Sequence, residues 1–346
     1  MKTIAIFTTT RAEFGILSAF LREIASSDDV SYLLFVGGTH LVQEHGSTID
    51  EIQKQSLKIA GTFDFLLNAD TSFSLAKATG IATYELAHIF ENFEFDYVCV
   101  LGDRFELLAI VANAILFKKP IIHIHGGEKT EGSIDEQIRH MLTKAAHIHF
   151  VASDEYARNI RQMGEPPWRI YNTGSLAVDN IKHNKKIDKA ELFQELNLDV
   201  HKPTVLMTYH PVTLEFNISP IDQIKNAFSA LKSYNFQLVI TAPNIEVDRT
   251  QIIAYLQQET SQNRSYHYIE SLGVVQYHSL IPYCKFVIGN SSSGILEIPY
   301  FKIPTVNIGD RQQGRIRHKS IIDTDYSVES ISSGIAKALS SDFLKS

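Results

Sequence analysis

Residues 96–127, DYVCVLGDRFELLAIVANAILFKKPIIHIHGG, contain the unit that decides the fold. The apolar run YVCVL is closely followed by Asp103 and Arg104, and an amphipathic run of helical length then leads to a second apolar run, IIHI. Short, continuous apolar runs that alternate with helical runs are typical of parallel strands covered on both faces. The stretch therefore predicts a strand, a helix and a second strand parallel to the first.

The same alternation continues on both sides of this stretch and restarts once, near residue 200. Further strands are predicted at 3–8, 31–37, 147–153, 204–210, 236–242, 266–271, 286–291 and 304–309. Further helices are predicted at 15–26, 135–146 and 221–234. A polar, Lys-rich segment at 181–203 precedes the restart. We predict an α/β protein with two Rossmann-like, doubly wound domains, 1–178 and 179–346, which face a cleft, and a final helix that packs back on the first domain.

Composition excludes several classes of protein. The 346 residues are 44 % hydrophobic and 21 % charged, which is typical of a globular protein. The formal charge of −7 argues against non-specific nucleic-acid binding, although it allows a local basic pocket for an anion. Apolar runs are too short for a signal peptide or a membrane span. With Cys99 and Cys284 both in apolar contexts, we expect a cytoplasmic protein with reduced, buried thiols.

Polar side chains follow many of the predicted strands. Ligands of open parallel sheets bind at the carboxyl ends of the strands, so these residues are candidates for a single site. The strand-end residues are Arg11, His40, Asp103, Arg104, Glu106, Glu128, Asp135, His210, Asn244, Ser291, Ser292 and Ser293.

The segment GNSSSGILE, residues 289–297, is the clearest signal for an anion site. A strand leads into glycines, three hydroxyls and a helix predicted to open at Ile295, and backbone N–H groups at a helix start favour phosphate. Glu297, one turn later, is placed to accept hydrogen bonds from a ribose diol. The serines could instead only cap the helix. Arg311 and Arg315 in NIGDRQQGR favour the anion site.

The segment HIHGGE leaves several alternatives open. His123 and His125 alternate along a strand and share a face, and Glu128 follows, so the group could be a metal site, an acid–base site or a polar loop. His123 alone could be a hydrogen-bonded core histidine. Asp135 could be a helix-dipole partner, and Arg139 either a solvated or ion-paired helix residue or a ligand contact.

Six motifs together resemble the hydrolysing UDP-N-acetylglucosamine 2-epimerases of sialic-acid synthesis. They are TTTRAEFG, GDRFELLA, HIHGGEKTEGSIDEQIRH, HPVT, GNSSSGILE and NIGDRQQGR, and they span the chain from Arg11 to Arg315. The resemblance implies a glycosyltransferase-B-like fold and a cytoplasmic homo-oligomer, a dimer or tetramer, that serves bacterial surface polysaccharide synthesis. It implies a UDP-sugar as the bound partner, without nucleic acid, membrane, metal or other cofactor.

The resemblance also implies roles for individual residues. The expected catalytic residues are Asp103, Glu128, Asp135 and His210. The expected substrate- and UDP-binding residues are Arg11, Arg104, His123, His125, Asn244, Ser291, Ser292, Ser293, Gly294, Glu297 and Arg311. Related epimerases often carry a glutamate at the position of His125, so its carboxylate role would pass to Glu128 here.

These residue types suit the chemistry of epimerisation at C2. Cations and hydrogen-bond donors stabilise UDP as it leaves C1, and the resulting oxocarbenium-like ion makes the C2 proton acidic. One carboxylate removes that proton to give a 2-acetamidoglucal, and a second carboxylic acid returns a proton from the other face while water attacks C1. The products expected from UDP-N-acetylglucosamine are UDP and N-acetylmannosamine.

Several functions remain as alternatives at this point. A UDP-2,4-diacetamido-2,4,6-trideoxy sugar, as in legionaminic-acid synthesis, would suit the same residues. A non-hydrolysing epimerase would return UDP to C1 instead of water. A glycosyltransferase would not need several carboxylates at C2, and a UDP-sugar sensor would need the GNSSSG segment alone.

Overall fold

The computed structural model describes two units of the chain, each with its own sheet and apolar core. By their contacts, one unit comprises Met1–Glu128 and Asp135–His183, and the other comprises Lys129–Ile134 and Asn184–Ser346. The residues described are 1–42, 48–67, 71–131, 133–212, 217–243, 249–341 and 343. No helix within these residues is long and apolar enough to cross a membrane.

The first unit is a parallel sheet with helices. Its strands are β1 (Lys2–Thr8), β2 (Val30–Gly37), β3 (Ile59–Phe63), β4 (Tyr97–Leu101), β5 (Ile121–Ile124), β6 (Ile148–Val151) and β7 (Ile170–Asn172). Its helices are α1 (Arg11–Ala25), α2 (Ile49–Lys54), α3 (Ser72–Asn92), α4 (Leu107–Leu116), α5 (Asp135–Ala145), α6 (Asp154–Gln162) and α7 (Leu176–His183). The described strands pair in the order β3-β2-β1-β4-β5-β6-β7, and every pairing is parallel.

The second unit repeats this plan. Its strands are β8 (Thr204–Thr208), β9 (Gln237–Thr241), β10 (Tyr266–Ile269), β11 (Cys284–Gly289), β12 (Thr305–Ile308) and β13 (Ile321–Thr324). Its helices are α8 (Lys189–Glu195), α9 (Pro220–Leu231), α10 (Arg249–Gln262), α11 (Gly273–Leu280), α12 (Ser293–Leu296) and α13 (Val328–Ala338). The described strands pair in the order β10-β9-β8-β11-β12-β13, again all parallel. The last helix, α13, packs against α9, β12 and β13 of its own unit.

Alternate residues of the central strands are buried on opposite faces of the sheet. In β1, Ala5 and Phe7 lie in one apolar cluster, whereas Ile4 and Ile6 lie in another. The second sheet likewise has a separate cluster on each face. The predicted α/β fold with two doubly wound sheets is confirmed.

The chain order of each sheet reverses at one point, between β1 and β4 in the first unit and between β8 and β11 in the second. The connections from these neighbouring strands run to opposite faces of the sheet, which opens a crevice at their carboxyl ends. The residues after β1, β4, β8 and β11 are therefore the first place to look for a ligand site in each unit.

The chain enters the main segment of the second unit after α7. Asn180 holds α7 on α1, because its side-chain oxygen accepts a hydrogen bond from Ser18 Oγ at 2.8 Å and its amide donates to Ile16 O at 2.8 Å. Contacts therefore assign the chain up to His183 to the first unit. Cys99 and Cys284 are buried free thiols, as predicted, and burial raises the pKa of each to about 12.

Candidate functional site

A pair of buried carboxyl groups lies at the switch point of the first sheet, where β1 and β4 end. Thr9 Oγ1 is 2.8 Å from a carboxyl oxygen of Glu106 and 3.0 Å from one of Glu13. Arg104 Nε donates to the same Glu106 oxygen at 2.9 Å. Burial is the main cause that raises the pKa of Glu13 to about 7. Sequence analysis named Glu106 only as a strand-end residue and missed Glu13.

Two other strand-end residues of the first unit lie nearby. Arg11 begins α1, and its guanidinium is 4.0 Å from the Glu51 carboxylate. His40 is fully buried, with its ring nitrogens 3.1 Å from Thr8 Oγ1 and 2.5 Å from Thr48 Oγ1. Burial, followed by the charge of Arg11, lowers the pKa of His40 to about 4. His40 is therefore a neutral, hydrogen-bonded core residue near pH 7.

Arg139 is the centre of the polar group after β4 and β5. Its side chain is only 1 % exposed and forms an ion pair with Asp103 Oδ2. It also donates to Glu128 O at 3.0 Å and to Glu136 Oε2 at 3.2 Å. Of the alternatives that the sequence left open for Arg139, the structure shows the ion-paired residue. One guanidinium thus fixes Asp103 and the backbone of Glu128, two residues predicted to be catalytic.

His125 and Glu128 form a second pair at the end of β5. Nδ1 of the imidazole is 2.6 Å from Glu128 Oε1, and both side chains are buried. His125 has a φ of +63°, a conformation that favours glycine, and its N–H donates to Phe150 O at 2.9 Å. Gly127 permits the sharp turn between them, since a Cβ there would lie 2.5 Å from Tyr156 O. Backbone strain of this kind concentrates at functional sites.

His123 has a different environment from His125. It is fully buried, with Nε2 2.8 Å from Gly102 O and Nδ1 3.2 Å from Thr143 Oγ1. Burial lowers its pKa to about 4. These are the contacts of a hydrogen-bonded core histidine, one of the alternatives from the sequence, and its role in substrate binding stays a prediction.

The loop that joins β5 to α5 is divided between the two units. Lys129–Ile134 belongs to the second unit, where Glu131 N donates to Gln313 O at 3.0 Å and Gly314 packs against Lys129. Asp135 then begins α5 in the first unit, as predicted. Sequence analysis treated HIHGGEKTEGSIDEQIRH as one polar group and missed this division.

In the second unit, β11 ends in the predicted serine segment. Gly289 has a φ of +137°, and a Cβ there would lie 1.9 Å from Thr208 O, so the end of β11 lies directly against β8. The following helix, α12, begins at Ser293 and not at Ile295, and it ends at Leu296, so Glu297 lies just after it. The side chain of the N-cap residue, Ser292, makes no capping hydrogen bond.

Asn290 links the ends of β8 and β11, and sequence analysis missed it. Its side-chain oxygen accepts from His210 N at 2.7 Å, and its amide donates to His210 O at 2.8 Å. Its own carbonyl accepts from Gln312 Nε2 at 2.9 Å and Arg311 Nη1 at 3.4 Å. Asn290 therefore brings together the backbone of His210, the serine segment and Arg311. A lone Asn between a strand and the serines was the available signal.

Two adjacent residues of α11 contact the serine segment and Glu297. Tyr277 Oη is 2.5 Å from Ser293 Oγ, and His278 Nε2 is 2.8 Å from Glu297 Oε2. Thr305 Oγ1 donates to Gly294 O at 2.9 Å. Nothing in the local sequence VVQYHSL separates Tyr277 and His278 from ordinary helix residues.

The remaining predicted site residues are placed as follows. Arg315, like Arg311, is buried, and it lies in the turn that follows β12. Asn244 lies outside the described residues. Within the described part of the chain, no three His, Cys, Asp or Glu side chains form a group that could hold a metal ion.

Each unit thus presents a distinct kind of chemistry. The first combines ionisable carboxyl groups with histidine and a buried arginine, which suits proton transfer. The second combines serine hydroxyls, His210 and two arginines at strand ends, which suits binding of an anion such as a diphosphate.

Comparison with known proteins gives consistent matches over nearly the whole chain. Residues 22–346 match the model of the UDP-N-acetylglucosamine 2-epimerase family. The GDP/UDP-N,N'-diacetylbacillosamine 2-epimerase (hydrolyzing) of Campylobacter jejuni is 37 % identical, over 94 % of this chain and 84 % of that protein. A UDP-N,N'-diacetylbacillosamine 2-epimerase (hydrolyzing) of Legionella pneumophila is 32 % identical, over 100 % and 91 %. The UDP-N-acetylglucosamine 2-epimerase of Neisseria meningitidis is 30 % identical, over 98 % and 88 %.

Solved structures share the fold at lower identity. A Neisseria meningitidis UDP-GlcNAc 2-epimerase bound to UDP-GlcNAc superposes with a TM-score of 0.82 at 17 % identity, covering 100 % of this chain and 93 % of that one. The UDP co-structure of S. aureus MnaA gives a TM-score of 0.80 at 19 % identity, covering 99 % and 90 %.

Proposed function

Because the chain belongs to the UDP-N-acetylglucosamine 2-epimerase family, we propose that it is a hydrolysing UDP-sugar 2-epimerase. The observation that carries this proposal is the buried Arg139, which holds Asp103 and the backbone of Glu128 in one group. A protein that only bound a UDP-sugar would have no need of carboxylates fixed in this way.

The substrate that we favour is UDP-N,N'-diacetylbacillosamine, one of the alternatives from the sequence. Two relatives named for hydrolysis of this sugar nucleotide are 37 % and 32 % identical to the chain. UDP-N-acetylglucosamine is the second candidate, supported by the Neisseria meningitidis relative at 30 %. Both sugars carry an acetamido group on C2, the carbon that the reaction epimerises.

The second unit would bind the nucleotide and stabilise its departure. Breaking the C1–O bond places the bonding electrons on the diphosphate, and Arg311, His210 and the serine hydroxyls would donate to that charge. Asn290 fixes the backbone of His210 and binds Arg311, so both groups are held in place before the charge develops.

The first unit would transfer the protons. A carboxylate removes the C2 proton, and the C2–H electrons form the C1=C2 bond of a 2-acetamidoglucal. Water then adds across this bond: hydroxide is delivered to C1, and a carboxylic acid returns a proton to C2 from the opposite face. Asp103, Glu128 and Asp135 are the candidates for these three tasks. The products are UDP and the free 2-epimeric sugar.

Incubation in D₂O with each candidate substrate tests the proposal. We expect free UDP and a product with deuterium at C2, formed without added metal or nicotinamide cofactor. A product that retains the original hydrogen at C2 would refute elimination. Recovery of a UDP-linked epimer would indicate the non-hydrolysing reaction, and loss of activity in chelator, restored by one divalent ion, would revive the metal alternative. The cytoplasmic location and homo-oligomeric state stay predictions.

A further inference from the structure

Thr9 lies between two buried carboxyl groups that its hydroxyl cannot satisfy together. Its Oγ1 is within hydrogen-bonding distance of both Glu13 and Glu106, at 3.0 and 2.8 Å. A threonine hydroxyl has one proton to donate and can otherwise only accept. If both carboxyl groups were ionised, one of these contacts would place two acceptors together without a proton. A protonated carboxyl group that donates to Thr9 would satisfy both contacts.

Glu13 is the better holder of this proton. Glu106 accepts a charge-assisted hydrogen bond from the Arg104 guanidinium at 2.9 Å. Glu13 accepts the neutral backbone N–H of Thr9 at 2.9 Å besides the hydroxyl contact, and each of the two carboxyl groups has one further oxygen that is buried without a hydrogen-bond partner among the described residues. Burial and the charge of Glu106 also raise the pKa of Glu13 to about 7.

We propose that Glu13 is a protonated positioning residue, which acts through Thr9 and Glu106 to hold Arg104 ready for the nucleotide. In this arrangement Glu13 donates to Thr9, Thr9 donates to Glu106, and Glu106 accepts from Arg104. This inference rests on the proposed function, since Arg104 is there assigned to UDP binding. Glu13 itself touches neither substrate nor reacting atoms.

Ionisation of Glu13 would disturb this chain of hydrogen bonds. Glu13 would then compete for the Thr9 proton, and Glu106 would lose the hydrogen bond from Thr9 and face a second negative charge. Glu106 would move closer to Arg104 and neutralise it more completely, which leaves less positive charge for a diphosphate. The charged and titratable groups that face Glu13 are Glu106 and Arg104 after β4 and the thiol of Cys99 within β4.

The first arm of the test asks whether Glu13 holds a proton. Thermal unfolding of the wild type and of Glu13→Gln is compared at pH 5 and pH 8. Glu13 is protonated in the folded state up to about pH 7 but ionised above about pH 4.3 when unfolded, so its contribution to wild-type stability falls as the pH rises through this range, and Glu13→Gln lacks this loss. Relative to the wild type, Glu13→Gln should gain roughly 5 °C in Tm between these pH values.

The second arm measures UDP affinity between pH 6 and pH 9. Above pH 7 the Kd of the wild type for UDP should rise by roughly 3- to 10-fold. A rise of this size corresponds to part of the binding free energy that one charge-assisted hydrogen bond contributes. Glu13→Gln should show no such rise. Ionisation of the terminal phosphate of UDP is the same for all variants and cancels in the comparison.

Two further variants complete the test. Thr9→Val removes the connecting hydroxyl, so it should abolish the pH dependence of UDP affinity, and it also serves if Glu13→Gln fails to fold. Glu23→Gln, at an exposed position of the same helix, should behave as the wild type in both arms.

Equal Tm differences at the two pH values would overturn the protonation of Glu13. A rise in Kd that persists in Glu13→Gln and Thr9→Val would overturn the positioning role. If the wild type binds no UDP at any pH, the proposed function fails together with this role, while the unfolding comparison still decides whether Glu13 holds a proton.

Discussion

Replacing the buried Arg139 with methionine should destabilise the first unit more than the same Arg→Met replacement at an exposed position. Methionine keeps much of the apolar stem but removes the guanidinium that pairs with Asp103 and Glu136 and donates to Glu128 O. Two carboxylates then lose their cation, and a buried carbonyl loses a donor.

The expected cost follows from the exposure of these partners. Removing one partner of a fully buried ion pair typically costs about 3–5 kcal/mol. The side chains of Asp103 and Glu136 are 20 % and 18 % exposed, so water can partly solvate them after the change. We therefore expect about 3 kcal/mol for Arg139→Met, at the low end of that range.

Urea unfolding followed by circular dichroism measures this cost. Arg158→Met, at an exposed position of α6, is the matched control and should change stability by less than about 0.5 kcal/mol. Adding Asp103→Asn to Arg139→Met should recover about 1 kcal/mol or more, because a neutral amide no longer needs the cation. If the urea midpoint of Arg139→Met equals that of the wild type, the guanidinium does not stabilise the first unit and the reasoning is refuted.

Four further predictions follow from other parts of the site. Asp103→Asn should retain UDP affinity but lower turnover by about 10²- to 10⁴-fold, measured as UDP release. His210→Ala should lower turnover by roughly 10²-fold, as loss of a leaving-group donor does; a near-normal rate would make the side chain structural. His278→Gln should weaken UDP binding with little change in kcat, because His278 Nε2 lies 2.8 Å from Glu297 Oε2 and Glu297 is assigned to the ribose of UDP; calorimetry and kinetics separate the two effects. The folded-state pKa of His40 is about 4, so His40 makes a contribution to wild-type stability that is lost as the pH falls from about 6.5 towards 4. In a thermal-unfolding series, the Tm of His40→Gln should therefore fall less with decreasing pH than the Tm of the wild type.

The strands that sequence analysis missed share one property. β3, β7 and β13 are edge strands of their sheets, whereas every predicted strand except β10 lies inside its sheet. A central strand is buried on both faces and paired on both sides, which selects a continuous apolar run such as YVCVL. An edge strand has one neighbour and is less buried, so IYN in β7 carries little pattern. Periodicity detects burial, and burial is lowest at the edges.

The candidate site shows a similar limit. Polar side chains that follow an apolar strand stand out in a sequence because they are unusual there, and Asp103, His210 and the serines were found as candidates in this way. Residues that hold those side chains in place, such as Asn290 and Tyr277, depend on contacts far apart along the chain. Asn290 and His210, for example, are joined by two hydrogen bonds across 80 positions. No local pattern can indicate such a pair.

The contacts of the first unit also suggest how the two carboxyl groups near Arg139 divide the proposed proton transfers. A carboxylate paired with a buried guanidinium favours its ionised form, so Asp103 is suited to accept the C2 proton and less suited to deliver one. Glu128 has a histidine beside its carboxyl group, since Oε1 lies 2.6 Å from His125 Nδ1, and its backbone carbonyl accepts a hydrogen bond from Arg139. An imidazole can share a proton with a carboxyl group and pass it on, which suits Glu128 and His125 to return a proton to C2. If Asp103 is the base, Asp103→Asn should block formation of the glucal. If Glu128 is the acid, Glu128→Gln should still form the glucal, which then accumulates. Measuring the glucal released by each variant therefore distinguishes the base from the acid.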